Sequence, residues 1–380
     1  MRILVAPDKF KGSMTGQQAG DAMRAGLLRV WPDAQVDVVP VADGGDGTAT
    51  AMLDAVGGRR VTRTVSGPDG RPVDAWFALL GDGRTAVVEL AAASGLVLVP
   101  AGKNDPMTAT TFGTGELIAA AIDEGARRIV SAIGGSATND AGAGALSALG
   151  ARFLDASGSE LPRGGGALAR LESIDDSALA ARIRGVTIEI ACDVDNPLVG
   201  PNGASAIYGP QKGATPDDVR VLDGALSHFA DVVAQKSGAD VRSVPGGGAA
   251  GGIAAGFLAL AGARLERGAD LVFDVIGFDK RLDGVSLVVT GEGRLDRQTL
   301  AGKAPSAVAS AAAARGIPAV AVAGTVDLRG DDLEKLHLLA AEPLVTGTPS
   351  ADDMRRAREL TANSAERLAR RLKDSSLITM

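Results

Sequence analysis

The chain has 380 residues, 46% of them hydrophobic and 22% charged, with a formal net charge of −7. Such a length exceeds what one hydrophobic core ordinarily serves, so two domains are expected, and the apolar share excludes an intrinsically disordered chain. An acidic balance without a basic block argues against a nucleic-acid partner, and a single cysteine, Cys192, rules out an intrachain disulfide framework.

No run approaches the ~18–20 apolar residues of a membrane span, so no membrane partner is expected. The opening Met1–Asp8 turns charged too soon for a signal peptide, which points to a cytoplasmic protein. Aromatic residues make up 3% while glycine reaches 51 residues, a balance suited to backbones that approach each other or a ligand closely.

Ile3–Ala6 predicts a buried strand of the parallel type, ending in a loop that carries Asp8, Lys9 and Lys11. Thr15 and Gln18 form a capping box, and Ala19, Ala22, Met23, Leu27 and Val30 follow at helical spacing. A second strand, Val36–Val41, runs into Ala42-Asp43-Gly44-Gly45-Asp46-Gly47-Thr48 and another small-residue helix. This alternation opens an open α/β sheet, whose ligands bind beyond the carboxyl ends of the strands. Segments 61–65, 72–80 and 85–90, separated by Gly/Pro/Asp turns, predict an antiparallel meander with Trp76 in the core. Thr114 is expected to cap a helix running through Ile122.

The strand Ile129–Ile133 stops at Gly134-Gly135-Ser136-Ala137-Thr138-Asn139-Asp140, and a small-residue helix is expected from about Ala141. Strand, glycine turn, hydroxyls and helix are how a fold aims backbone N–H groups and a helix dipole at phosphate. Ser136 and Thr138 add neutral donors, Asn139 an amide and Asp140 a candidate metal ligand. The alternative is an ordinary turn with Asn139 or Asp140 as N-cap. After a polar connection over 155–166, the strand Val186–Ala191 delivers Cys192-Asp193-Val194-Asp195-Asn196, and the chain continues to Tyr208 and Lys212. Thr215-Pro216-Asp217-Asp218 opens a helix with a hydroxyl cap and acids in its first turn. Gly246-x-Gly248-x-x-Gly251 fits a dinucleotide fingerprint only formally, inside a glycine run with no clear strand before it. Gly302-Lys303 lacks both the following hydroxyl and the upstream glycine of a P-loop. Strands at Ser286–Thr290 and Pro318–Ala323 restore the α/β alternation, the first ending in Gly291-Glu292-Gly293-Arg294-Leu295-Asp296, and a last helix starts at Ser350.

The two ends of the chain resemble each other more than either resembles the middle. The expected architecture is α/β: a Rossmann-like parallel-sheet domain over 1–58 plus 284–380, with a second, inserted mixed-sheet α/β domain over 59–283. The strand within 126–135 could belong to either. The strand-end loops pool carboxylates and a few cations but no histidine, and His228 and His337 read as packing or helix residues. A Ser-His-Asp triad and a His/Cys zinc site are thereby excluded, and Cys192 reads as an inert strand-end residue. Carboxylates beside hydroxyls suit a hard ion such as Mg²⁺, and with glycine turns and lysines they form the inventory of phosphoryl transfer.

Seven stretches taken in order are similar to the bacterial glycerate kinase family: APDKFKGS (6–13), PVADGGDGT (40–48), GGSATNDAGAG (134–144), CDVDNPLVGPNGAS (192–205), YGPQKGA (208–214), GGGAAGG (246–252) and VVTGEGRLDRQTLAGKAP (288–305). The resemblance spans nearly the whole chain. It implies a Rossmann-like domain, a second α/β domain, a cleft between them, and ATP-dependent phosphorylation of D-glycerate, in most members to 2-phosphoglycerate. ATP, Mg²⁺ and the small molecule glycerate are then the expected partners. The resemblance does not assign roles, which follow from chemistry. Gly134, Gly135, Ser136, Thr138 and Asn139 are expected at the phosphates, with Asp43, Gly44 and Gly45 beside them. Asp193 is the expected base, and Asp296 and Glu292 are the expected Mg²⁺ ligands. Lys9 or Lys11, together with Arg294, would hold the substrate carboxylate or the transferring phosphoryl group, and Lys212 would add positive charge. The rival readings are the same kinase giving 3-phosphoglycerate, an NAD-dependent oxidoreductase, and a non-catalytic sugar-acid binding protein. Oligomeric state is not legible in the sequence.

Overall fold

The computed structural model describes residues 1–328 and 330–375. The chain divides into two compact units, the first comprising Met1–Asp43, Thr50–Gly57 and the described chain from Ala269 on, the second Gly44–Ala49 and Gly58–Gly268.

The first unit is built on a five-stranded, all-parallel sheet in the order Ala340–Pro343, Ala319–Ala323, Leu287–Gly291, Arg2–Pro7, Gln35–Val38. Every residue of Leu287–Gly291 and Ala319–Ala323 is buried, as expected of parallel strands covered on both faces. The helix Gly16–Leu28 starts at the Thr15/Gln18 capping box and buries Ala19, Ala22, Met23 and Leu27. It packs so closely on the helix Ala357–Asp374 that a Cβ on Gly26 would lie 2.0 Å from the Ala362 carbonyl oxygen. Pairings Pro7↔Gly291, Thr290↔Ala321 and Ala323↔Pro343 align the strand ends, so the loops beginning at Asp8, Glu292 and Gly324 leave from one edge.

The second unit carries a six-stranded mixed sheet in the order Arg264–Glu266, Thr187–Ala191, Arg128–Ala132, Thr85–Glu89, Pro72–Leu80, Gly58–Ser66. The first four strands are mutually parallel, and the last two are the antiparallel meander. Within the meander, Ala75 and Phe77 are buried, but Trp76 is half-buried, with the Arg60 guanidinium 4.3 Å over its ring. Trp76 is therefore not a core residue: strand alternation turns it to the face opposite Phe77. Thr114 does not cap its helix either. The helix is Phe112–Asp123, and Thr114 lies inside it, donating to Ser94 Oγ at 2.8 Å.

Pairings Glu89↔Ala132, Ala132↔Ala191 and Ala191↔Glu266 place four strand ends in one row. The loops that follow leave from the same edge of this sheet. His228 is half-buried, with Nε2 2.6 Å from the Leu171 carbonyl oxygen, as a packing residue should be. His337 departs from expectation: it is exposed at φ 56° just beyond the short helix Asp331–Lys335. Among the described residues no helix is long and apolar enough to cross a membrane.

Candidate functional site

The loop after Arg128–Ala132 is held from behind. The Gly135 carbonyl accepts the Leu96 N–H at 2.9 Å, and the Ala137 N–H donates to the Ser94 carbonyl at 2.9 Å. The Ala137 carbonyl accepts Asn104 Nδ2 at 2.9 Å, and the Thr138 carbonyl accepts Lys212 Nζ at 2.7 Å. Ser136 through Asp140 are buried, whereas Gly134 and Gly135 are exposed. Among the described residues no protein acceptor meets the N–H groups of these two glycines. Gly135 sits at φ 73°, the left-handed region that favours glycine. Carbonyls turned inward with amides turned outward make an anion-binding concavity. Two further acceptors, Thr138 Oγ1 and Asn139 Oδ1, are buried there with no partner among the described residues, while Asn139 Nδ2 donates to Ser205 Oγ at 3.0 Å.

Asp140 is not available as a metal ligand. Its fully buried carboxylate accepts the Thr111 N–H and hydroxyl, both at 2.9 Å, and the N–H groups of Gly142 and Gly144 at 3.2 and 3.3 Å. Burial pushes its pKa up against the pull of these donors. The carboxylate pins the turn, and the helix starts at Ala143, later than expected, because Ala141 and Gly142 take positive φ.

Lys212 is 2% exposed, and its Nζ donates to Ser136 Oγ at 2.8 Å and to the Thr138 carbonyl. Burial pushes its pKa down to about 7, against the more distant attraction of Asp140. Two acceptors match the two N–H bonds of a neutral amine. Lys212 therefore braces the loop. Asn104, which sequence reasoning missed, donates to the Ala137 and Lys212 carbonyls at 2.9 and 2.8 Å and so ties three segments together. It lies in a loop with no periodicity to mark it.

Along the same edge, Asp193 is exposed at the end of Thr187–Ala191, and its Oδ1 accepts the Gly268 N–H at 3.0 Å. Glu89, also missed, ends its strand buried and accepts the Ala49 N–H at 2.8 Å. Gly44 (φ 84°) is pressed against Ala191 and Gly268: a Cβ there would lie 2.8 and 2.7 Å from them, and one on Gly134 would lie 3.5 Å from Gly45. The loop after Asp193 is fixed by Tyr208, whose hydroxyl donates to Asn196 Oδ1 at 2.6 Å. Cys192 is half-buried, with burial pushing its thiol pKa up, consistent with an inert residue. The glycine run at 246–252 serves packing. A Cβ on Gly248 would lie 2.1 Å from the Pro197 carbonyl oxygen, and one on Gly251 would lie 2.1 Å from that of Thr138.

In the first unit a carboxylate cluster forms where the strands end. Asp8 is buried, and its pKa is pushed up to about 7 by burial, then by the charge of Asp43 and, less, of Glu292. The Lys9 N–H, 2.6 Å from Asp8 Oδ1, and the Lys9 charge oppose this. Glu292 is raised chiefly by burial. It accepts the Thr299 hydroxyl at 2.6 Å, lies 3.7 Å from Lys303 Nζ, and is crowded by Asp296 and Asp43. Asp43 thus joins an acidic group. Lys303 and Thr299 were not foreseen, since the sequence around Gly302-Lys303 only fails as a P-loop. Asp296 Oδ1 accepts the Gln298 N–H at 2.8 Å. Arg294 is exposed and pairs with Asp327 at 2.7 Å, with Asp296 at 3.6 Å. Lys9 is half-buried and Lys11 exposed. Among the described residues no three His, Cys, Asp or Glu side chains form a group that could hold a metal ion by themselves.

The model of the glycerate kinase family matches residues 3–373. A glycerate kinase of Bacillus subtilis (strain 168) is 48% identical over 370 residues, covering 97% of this chain and 96% of the relative. The glycerate 2-kinase of Escherichia coli (strain K12) is 47% identical over 337 residues, 89% of this chain and 88% of its own. A crystal structure from Salmonella typhimurium LT2, provisionally named glycerate kinase 2, has a TM-score of 0.92 and 43% identity, covering 100% of both chains. The chain therefore belongs to the glycerate kinase family, phosphotransferases that act on an alcohol group.

Proposed function

We propose that this enzyme transfers the γ-phosphoryl group of ATP to the C2 hydroxyl of D-glycerate, giving 2-phosphoglycerate. The observation that carries the phosphate role is the Gly134–Thr138 loop, with its carbonyls braced by Leu96, Asn104 and Lys212 and its glycine amides turned outward. Support for C2 comes from the similarity to a relative named glycerate 2-kinase. Asp193 takes the hydroxyl proton, being an exposed strand-end carboxylate in the row of that loop. Asp43, Gly44 and Gly45 line the nucleotide, and Lys9, Lys11 and Arg294 act on the substrate carboxylate or the phosphoryl group.

The acidic group suits a divalent ion in one specific sense. Burial first, and then the charge of the neighbouring carboxylates, raises the pKa values of Asp8 and Glu292, and a dication relieves the part that is repulsion. Glu292 and Asp296 would hold Mg²⁺, which takes one or two carboxylates and completes its shell with phosphate oxygens and water. When bound, the ion supplies charge neutralisation to the phosphates. The test is phosphorus NMR of the product from ATP and D-glycerate. A C2 phosphomonoester is expected; a C3 phosphomonoester overturns the regiochemistry, and ATP left intact overturns the kinase assignment.

A further inference from the structure

Beside the braced loop lies a cavity of about 570 Å³, walled by Leu96, Val97, Val99, Pro100 and Pro210, with Asn104 and Lys212 at its polar side. Its wall is tied to the loop that forms the anion cradle: Leu96 donates its N–H to the Gly135 carbonyl, and Asn104 donates to the Ala137 and Lys212 carbonyls. The volume is in the range of small-molecule sites. Val97 is 85% exposed, the most open large hydrophobic side chain among the described residues. The lining's lysine already donates to Ser136 and Thr138, so the cavity offers nothing to balance a small carboxylic acid. A flat uncharged heterocycle matches apolar walls with a few amide and carbonyl groups. The larger cavity of the first unit, about 880 Å³, opens at Ser286 and Ala319, the amino ends of its strands. Ligands of open α/β sheets gather at the other end.

We infer that this cavity holds the purine base of the nucleotide whose phosphates sit on Gly134–Thr138. The inference rests on the nucleotide reading above and adds the location of the base. The cavity is then a purine subsite, with Val97 covering one face of the ring and Asn104 fixing the wall.

The test labels the full-length enzyme with 8-azido-ATP under light, with and without excess ATP, and maps the modified peptide. Label that ATP displaces, in the peptides carrying 96–104 or 208–214, is the expected result. Label that ATP displaces but that maps only to other peptides overturns the base site while leaving the kinase reading intact. Failure of ATP to displace label, together with no turnover of ATP and glycerate, overturns both. A second variant guards against peptide-recovery artefacts. Val97→Asp, at an exposed position that does not threaten folding, is expected to raise the KM for ATP at least tenfold and leave the KM for glycerate unchanged. An unchanged KM for ATP overturns the inference.

Discussion

Replacing Lys212 by methionine keeps the length of the buried stem and removes the amine. Two hydrogen bonds are lost, to Ser136 Oγ and the Thr138 carbonyl, each worth about 1 kcal/mol net. That loss is the same at every pH. The proton contributes a second effect with a definite sign. Folding lowers the Lys212 pKa from the usual 10.5 to about 7, so between those values the unfolded chain carries a proton that the folded chain does not. Stability then rises with pH across the window, by up to about 1.4 kcal/mol per unit. Below pH 7 both states are protonated and the burial penalty is fully present. Between pH 7 and 9 the wild type should therefore gain roughly 2–3 kcal/mol relative to Lys212→Met, because every other titration is common to both.

The assay is urea unfolding of the two proteins at pH 7, 8 and 9, comparing the difference in unfolding free energy at each. A difference that widens toward alkaline pH supports a neutral amine behind the loop. Parallel curves, or a wild-type advantage that shrinks as pH rises, would refute the reasoning, because the lysine would then keep its proton in the fold. The same anchor bears on function. Without it the Thr138 carbonyl is free to turn, and the KM for ATP should rise in the variant even at pH 9.

Asp193→Asn should lower kcat by about 10²–10⁴ with an unchanged near-ultraviolet circular dichroism spectrum, and near-normal turnover would remove Asp193 as the base. Asp296→Asn should raise the Mg²⁺ concentration for half-maximal rate about tenfold; an unshifted titration would eliminate it as a ligand. Asp8→Asn should raise Tm in metal-free buffer at pH 8. A carboxyl raised from 3.8 to about 7 on folding loses stability as pH climbs through that window, by as much as ~4 kcal/mol. A lower Tm would mean that burial and the neighbouring Asp43 do not raise the Asp8 pKa in the fold. Gly251→Ala puts a methyl 2.1 Å from the Thr138 carbonyl at a φ of 76°, which should cost about 3 kcal/mol or more in chemical denaturation.

What the sequence made legible was whatever is encoded locally. Apolar runs such as Leu287–Gly291 mark buried parallel strands, and Thr15/Gln18 and Thr215/Asp218 mark helix starts that close as capping boxes. The glycine turn at 134–135 is equally local, since only a strand end followed by glycines gives that exposed corner. The misses have the opposite character. Trp76 reads as core packing in the sequence, although neighbouring Phe77 occupies the inward side of the strand. Lys212 is legible as a cation of the site, but its buried contact with Ser136, distant in sequence, is not. Asn104 acts by joining segments that no pattern connects, and Lys303 matters because the turn through Thr299 returns it to Glu292. Side chains whose role depends on long-range closure leave no periodic trace.

The bracing of the loop has a cost, and its location is visible in the backbone. Ala141, Ala250 and His337 are the non-glycine residues with positive φ among those described, and the two alanines belong to segments joined by the Ala141 N–H donating to the Gly251 carbonyl at 3.0 Å. An alanine held there loses about 1–2 kcal/mol against its relaxed geometry. Glycine would relieve that strain but adds disorder to the unfolded chain worth about 0.4–1 kcal/mol, so the net gain is about 0.5–1 kcal/mol. The two sites should still answer differently. The Ala141 methyl is fully buried, and losing it forfeits about 0.8 kcal/mol, which cancels the relief. Ala250 is half-buried and has less to forfeit. Ala250→Gly should therefore stabilise the protein by about 0.5–1 kcal/mol, while Ala141→Gly should leave stability nearly unchanged. If the strain serves the cradle by fixing Thr138 and Asn139, the more stable Ala250→Gly enzyme should bind ATP less well. A variant that gains stability with an unaltered KM for ATP would show that the strained backbone is only a packing compromise between the loop and the helix Ala249–Ala261.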